Sequence, residues 1–519
     1  MVRSWLKDAV FYEIYPQSFY DANGDGIGDI AGITQKLDYV KALGCNALWI
    51  NPCFDSPFRD AGYDVRDYKK VAPRYGTNED LYRLFEAAHE KGIHVLLDLV
   101  PGHTSEEHEW FMRSGEAKPN EYSNRYIWTN HWWQGGNGLP YVGGERERDG
   151  TYILNFFKCQ PALNYGFLNP TEPWQLPMDH PDALATREAI KDVMRFWLGH
   201  GCDGFRVDMA DSLVKRDDAQ KSGTSAIWRD IRTMLDEEFP QAALVSEWSN
   251  PPLALRAGFD MDFCLNNWDT GYASLMRDYD QPVNNSYFKK DAPHRDIRRF
   301  LDVYERWYAD TAALGYVSLI SCNHDTTRPR FGLNVRELKL AYAFLFTMPG
   351  VPFMYYGDEI GMRFLDVPTK EGGYTRTGSR TPMQWNAGRN LGFSTADAKD
   401  LYLPVDPAPD APTVEAQTSD PDSLLNFVVA LLKLRHDHED LQADAPYAAL
   451  SEGPGEPFVY SRGRLVLAVN PTGQTLRAAA PVTGLRPIFT LGEVGVDGDG
   501  LEMGPQAFVV MGEQPVSDQ

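Results

Sequence analysis

The chain has 519 residues, 43% of them apolar and 13% aromatic, and a formal net charge of −23. That length exceeds one ordinary core and suits a barrel carrying attachments. The acidic balance argues against nucleic acid as a partner, because neutralising phosphates needs clustered Lys and Arg, and it suits a neutral substrate.

The opening stretch MVRSWLKDAVFYEIYP contains no apolar signal segment. No later run reaches the roughly 18 apolar residues of a membrane span. The expectation is therefore a cytoplasmic protein with no membrane partner. Cys45, Cys53, Cys159, Cys202, Cys264 and Cys322 show no zinc-like spacing and read as reduced, mostly buried thiols.

In chain order, strand-like runs are predicted at Val10–Tyr15, Asn46–Asn51, His94–Val100, Gly204–Asp208, Ala243–Glu247, Met261–Leu265, Val317–Ser321 and Val351–Tyr356. Helical periods lie between them. Leu81, Leu84, Phe85 and Ala88 share one face, with Asn78 as the expected N-cap and Gly92 as the stop. Ile190, Val193, Met194, Trp197 and Leu198 share another. Alternating strands and helices predict an α/β fold, a (β/α)8 TIM barrel built from residues 1–103 and 175–440.

About a hundred residues separate the third and fourth strands, far more than one helix needs. Residues 104–174 are rich in Tyr, Trp, Gly and Asn and are expected to form a small inserted domain walling one side of the rim. A second long connection, Gly361 to Asp420, reads as an ordered rim loop, and Ser423–His438 as the helix that closes the barrel. From 441 to 519 the short runs Phe458–Tyr460, Leu465–Ala468, Ile488–Leu491 and Ala507–Met511 predict a C-terminal antiparallel β-sandwich.

The chemistry concentrates at the strand ends, in Asp98-Leu-Val-Pro-Gly-His103, Gly204-Phe-Arg206-Val-Asp208, Val245-Ser-Glu247-Trp248 and Cys322-Asn323-His324-Asp325. Barrel enzymes work at the C-terminal rim, so these groups are expected to converge there. Arg206 and Asp208 share a strand face, and an adjacent guanidinium favours the ionised carboxylate that a nucleophile needs. Glu247 lies beside apolar Trp248, where a glutamate can hold its proton and give it to a leaving oxygen. Asp325 is placed to hold sugar hydroxyls, and His103 to donate to one. Each residue alone has a structural alternative: an ion pair, a solvated strand end, a helix cap, a satisfied core histidine. Asp21, Asn23, Asp25 and Asp29 alternate through a glycine-rich loop, a pattern that folds around a hard cation, the alternative being a polar turn without an ion.

The ordered set LWINPCFDSP, AGYDVRDY, DLVPGHTS, QPALN, GFRVDMADS, VSEW, CNHDTTR and GVPFMYYGDEIGM resembles glycoside hydrolase family thirteen, the α-amylase family, over about residues 5–515. QPALN, GSRTPMQW and DANGDGIGD resemble its α-glucosidase and oligo-1,6-glucosidase branch. The resemblance implies a retaining double displacement, with Asp208 as nucleophile, Glu247 as general acid/base and Asp325 as transition-state stabiliser. It implies that Tyr63 stacks on the cleaved glucose and that His103, Arg206 and His324 grip the same ring. Asp60 and Arg380 would pair to hold the non-reducing end, so that glucose leaves one unit at a time. Asp21, Asn23, Asp25, Asp29 and the Ile27 carbonyl would bind structural calcium or magnesium.

The implied partner is a short α-gluco-oligosaccharide, hydrolysed or transferred, with no organic cofactor. An endo-acting amylase, a glucosyl isomerase such as a trehalose synthase, and a non-catalytic barrel subunit of an amino-acid transporter are the competing classes. The last of these lacks the full triad and carries a membrane helix. Four positions depart from the family: Gly102 stands where Asn is usual, Ala162 where Asp is usual, and Met209 and Trp248 are uncommon neighbours of the catalytic positions.

Overall fold

The computed structural model describes residues 2–265, 270–278, 283–371, 375–498 and 500–513. Gly372, Gly373 and Tyr374 of the GGYTRTGSR motif lie outside them. Eight parallel strands form the barrel: β1 (Phe11–Ile14), β2 (Ala47–Ile50), β3 (His94–Leu99), β4 (Gly204–Val207), β5 (Ala243–Ser246), β6 (Met261–Cys264), β7 (Tyr316–Leu319) and β8 (Phe353–Tyr355). Each falls within a predicted run or within a residue of one. They pair in sequence order, and β1 returns to β8. The seam between β7 and β8 is held by the bridge Ile320 to Phe353 and the bond from Ser321 N to Phe353 O.

These strands read as continuous apolar runs because helices outside and side-chain layers inside bury both faces. The chain enters β4 through Gly204, at φ +148°, where a Cβ would come 2.0 Å from the Ala243 carbonyl oxygen of the neighbouring strand. Only glycine permits that approach.

The helix predicted around Leu81 spans α1 (Asn78–Glu90). Its N-cap is Thr77 rather than Asn78: Thr77 accepts from Asp80 N, and the Asp80 side chain answers the Thr77 amide in a capping box. Asn78 instead accepts from Val71 N and donates to Lys69 O, tying the helix start to the strand Asp67–Val71. Gly92, at φ +67°, follows the C-cap as expected. The second predicted helix extends from Pro181 to Gly199 as α2. The closing helix is α3 (Leu424–Asp437), capped by Ser423.

Between β3 and β4 lie a short helix, Glu109–Ser114, and a hairpin pairing Tyr141–Gly143 with Thr151–Ile153. Ile127, Ile153, Ala162, Phe167 and Trp174 make a small apolar cluster of their own there. After α3 come a five-stranded and a three-stranded antiparallel sheet. Four of their strands, Tyr447–Ser451, Leu476–Ala479, Val494–Asp497 and Gly500–Met503, are absent from the sequence expectation. The first three bury at most one residue each and carry too little apolar alternation to mark them. The six cysteines are all free and buried, and no helix among the described residues is long and apolar enough to cross a membrane.

Candidate active site

Five of the eight strands deliver charged side chains to one rim. Glu13 comes from β1, Asp98 from β3 and Arg206 from β4, with Asp208 one residue past its end. Glu247 follows β5 directly, and β7 leads into His324 and Asp325.

Arg206, 1% exposed, is the hub. Its Nη1 lies 3.0 Å from Asp98 Oδ1 and 3.1 Å from Asp208 Oδ1, and its Nη2 lies 2.8 Å from Glu247 Oε2. Asp98 also accepts from Trp49 Nε1 at 3.0 Å and from Tyr63 Oη at 3.1 Å. One guanidinium thus gathers three carboxyls from three strands.

A single cation shared three ways does not hold the Asp208 carboxyl low, as the two-residue spacing suggested. Burial, then the charge of Glu247, pushes the Asp208 carboxyl well above the usual carboxylate range, and Arg206 only partly opposes this. Asp98 is pushed up to about 6, chiefly by burial.

Asp325 is treated in the opposite way. Its Oδ1 accepts from Arg376 Nη1 at 2.8 Å and from Arg380 Nη2 at 2.7 Å, and its Oδ2 lies 3.4 Å from His324 Nε2. Burial alone would raise this carboxyl. The Arg380 and Arg376 guanidiniums outweigh it and hold Asp325 well below the usual range, ionised.

His324 itself is fully buried and kept neutral by that burial. Its Nδ1 faces Glu13 Oε1 at 2.9 Å and Asn51 Nδ2 at 3.0 Å, and its Nε2 faces Tyr63 Oη at 2.7 Å. Tyr63 stacks on the imidazole with ring centroids 5.4 Å apart.

His103 also lies at the rim, but both ring nitrogens are engaged. Nε2–H donates to the Tyr63 carbonyl at 3.1 Å, and Nδ1 accepts from Asn155 Nδ2 at 2.8 Å. Burial lowers its pKa to about 3. The neutral ring has no spare N–H for a sugar hydroxyl unless the bond to Tyr63 opens. Asn155 comes from the insert between β3 and β4 and occupies the space beside Gly102: a Cβ at 102 would lie 2.9 Å from Asn155 Nδ2. The missing side chain at 102 makes room for an amide from elsewhere in the chain.

Asp60 and Arg380, expected together at the non-reducing end, bond to different partners. Asp60 Oδ1 accepts from Arg376 Nη2 at 2.8 Å, and its Oδ2 from Gln160 Nε2 at 2.8 Å. Arg380 turns to Asp325, to Glu371 at 3.0 Å and to the His324 carbonyl at 2.9 Å. Arg376 therefore links Asp60 to Asp325 across the pocket. Both arginines stand in TRTGSRTPMQW, and four residues of a loop carry no periodicity that says which one turns inward.

Arg376, Asp98, Glu13 and Asn155 are the site residues that sequence reasoning did not select. Asp98 carried a signal, since it lies in a motif already singled out. Glu13 carried less, as one acid inside an apolar strand, and Asn155 none.

In the Asp21–Asp29 loop the oxygens turn to backbone amides. Asp21 accepts from Gly24 N and Gly26 N, Asn23 from Asp25 N, Asp25 from Ile27 N, and Asp29 from Ala22, Asn23 and Gly32 N. Among the described residues no group of three or more His, Cys, Asp or Glu converges as a metal site. The loop shown is a set of side-chain turns, satisfied by its own backbone.

Strands that end in acids around a buried arginine are what the family comparison meets. The family model for the alpha amylase catalytic domain matches residues 13–444. The chain belongs to that family. Among alpha-amylase family relatives, the trehalose synthase/amylase TreS of Mycolicibacterium smegmatis is 35% identical over 84% of this chain and 77% of the relative. The oligo-1,6-glucosidase of Heyndrickxia coagulans is 31% identical over 92% of this chain and 94% of its own. Among solved structures, the trehalulose synthase MutB from Pseudomonas mesoacidophila matches with a TM-score of 0.81 at 25% identity, covering 98% of this chain and 99% of that one. The protein is thus an alpha-amylase family glycoside hydrolase acting on α-glucosides.

Proposed function

We propose that this protein is a retaining α-glucoside hydrolase that releases glucose from the non-reducing end of short α-gluco-oligosaccharides. The observation that carries this reading is the single Arg206 guanidinium holding both Asp208 and Glu247. Carboxyls that close suit the roughly 5–5.5 Å separation of retaining enzymes, not the ~6.5–9.5 Å that leaves room for a water. Glu247 gives a proton to the leaving oxygen while the Asp208 carboxylate attacks the anomeric carbon. Glu247 then takes a proton from water as that water displaces Asp208. Ionised Asp325 stabilises the positive charge that develops on the ring. Tyr63 and His324 line the ring's face and edge. Arg376, fastened to Asp60, closes the far end of the pocket, which supports one glucosyl unit beyond the cleavage point.

The test is a product time course on maltose, isomaltose, kojibiose, nigerose, trehalose, sucrose and a maltodextrin, with the anomer read by NMR. Glucose appearing first as the α-anomer is expected. Longer sugars released first from maltodextrin would remove the exo reading and leave an endo-acting amylase. Asp208→Asn is expected to abolish turnover, and undiminished activity in that variant would remove the nucleophile assignment.

A second reading, glucosyl isomerisation, is favoured by one observation, the 35% identity to a trehalose synthase/amylase. Maltose giving trehalose, or sucrose giving an isomer, in place of glucose would select it.

Calcium or magnesium at Asp21, Asn23, Asp25, the Ile27 carbonyl and Asp29 is proposed on the donor set alone. An ion there would share these oxygens with the loop amides, since each carboxylate or carbonyl oxygen has more than one lone pair. A melting temperature lowered by chelator and restored by calcium supports it, and an unchanged one removes it. A cytoplasmic location belongs to the same proposal, and fractionation tests it.

A further inference from the structure

The strand after the acid/base turns a buried carboxylate back toward it. Asp262 lies in β6 with no exposed surface. Its Oδ1 accepts from Ser246 Oγ at 2.7 Å, Trp248 N at 3.2 Å and Ser249 N at 3.3 Å, and its Oδ2 from Asn250 N at 2.7 Å. The residue before Glu247 and the three after it therefore all donate to one carboxylate.

That turn needs outside support. Ser249 sits at φ +57°, the left-handed region, which is unfavourable for a non-glycine residue. Three consecutive amides beyond the end of β5 have left the ladder, and buried N–H groups without acceptors are costly. A carboxylate can accept all of these bonds at once, whereas a neutral amide of the same shape has one acceptor oxygen and would face N–H with N–H. The tip of Glu247 is fixed separately, by Arg206 Nη2 at 2.8 Å and Met209 N at 3.0 Å.

The geometry points to Asp262 as the positioning residue for Glu247: it fixes the backbone from which the acid/base reaches the glycosidic oxygen. The inference rests on the acid/base role given to Glu247 above. A misplacement of about 1 Å can cost ~10²-fold in rate, so a loosened root would weaken proton delivery while leaving Asp208, on another strand, in place.

The experiment separates substrates by leaving group. Phenyl α-glucoside needs its oxygen protonated, whereas α-glucosyl fluoride expels fluoride without a proton from the enzyme. Asp262→Asn is expected to slow phenol release about 10²-fold and to leave the initial burst of fluoride within about threefold. Added azide, which attacks the glucosyl-enzyme without a general base, is expected to speed its turnover and yield α-glucosyl azide.

Glu247→Gln is the control and should show the same split. If it does not, the acid/base assignment fails rather than this inference. Equal losses on both substrates in Asp262→Asn, or no loss on either, would overturn the positioning role. Should Asp262→Asn fail to fold by circular dichroism, Ser246→Ala, which removes one donor and keeps the carboxylate, carries the test. About a threefold to tenfold split between the substrates is then expected, and no split overturns the inference.

Discussion

At Gly102 the position before His103 has no side chain, and the Asn155 amide from the insert fills the gap and binds the imidazole. Gly102→Asn should clash with Asn155 and lower kcat/KM about tenfold or more, since overpacking a filled site typically costs 1–3 kcal/mol. Adding Asn155→Gly should recover most of that loss. Steady-state kinetics of the two single variants and the double variant measure the coupling.

Arg376 offers a second residue-scale prediction. It is one of two guanidiniums that keep Asp325 ionised. Arg376→Ala should let the Asp325 carboxyl rise toward its ordinary value. The sign follows from the direction of the shift: a carboxyl held low stays charged down to low pH, and loses that reach when a cation goes. The acid limb of kcat/KM should therefore move to higher pH, and KM for disaccharides should rise as the pocket end opens. An unmoved acid limb would mean that Arg380 alone sets the charge of Asp325.

Among the elements, α1 shows how local chemistry is divided. Its start is fixed by Thr77 and Asp80, while the neighbouring Asn78 spends its amide on the strand before it. Thr77→Ala should cost about 1 kcal/mol, so the first-turn amides should exchange roughly fivefold faster. Asn78→Ala should instead loosen the strand Asp67–Val71. Hydrogen exchange resolved by peptide distinguishes the two. Asn and Thr are both good caps, and adjacent candidates cannot be ranked without knowing what else lies within reach of each side chain. The barrel strands were legible because burial on both faces makes them uniformly apolar. The edge strand Val494–Asp497 was not, because three of its four residues are exposed and satisfy no pattern.

Across the whole molecule, the terminal sheets are fastened to the barrel through buried polar anchors. Arg462 donates to the carbonyls of Thr347 and Gln442, and Tyr460 meets the Thr347 hydroxyl. On the barrel side, fully buried Arg435 of α3 donates to the Phe346 and Gly350 carbonyls at 2.8 and 2.7 Å. Phe458 and Tyr460 pack on Phe344. A chain ended at residue 445 would strip Arg462 from the Thr347 and Gln442 carbonyls and uncover the aromatic face. It should lack the cooperative unfolding transition of the full chain and fall into the insoluble fraction. A soluble, cooperatively melting product would show that the barrel stands alone.

By itself the sequence determined the order of eight strands, the acids at their ends and the family they resemble, because both signals are local: an apolar run, and a charged residue just past it. It could not decide which of two loop arginines meets Asp60, that one guanidinium divides itself among three carboxyls, or that an amide from the insert replaces a missing side chain beside His103. Those outcomes depend on distances between residues far apart in the chain. Electrostatics in a buried site follows those distances and the burial, which exist only once the barrel has closed.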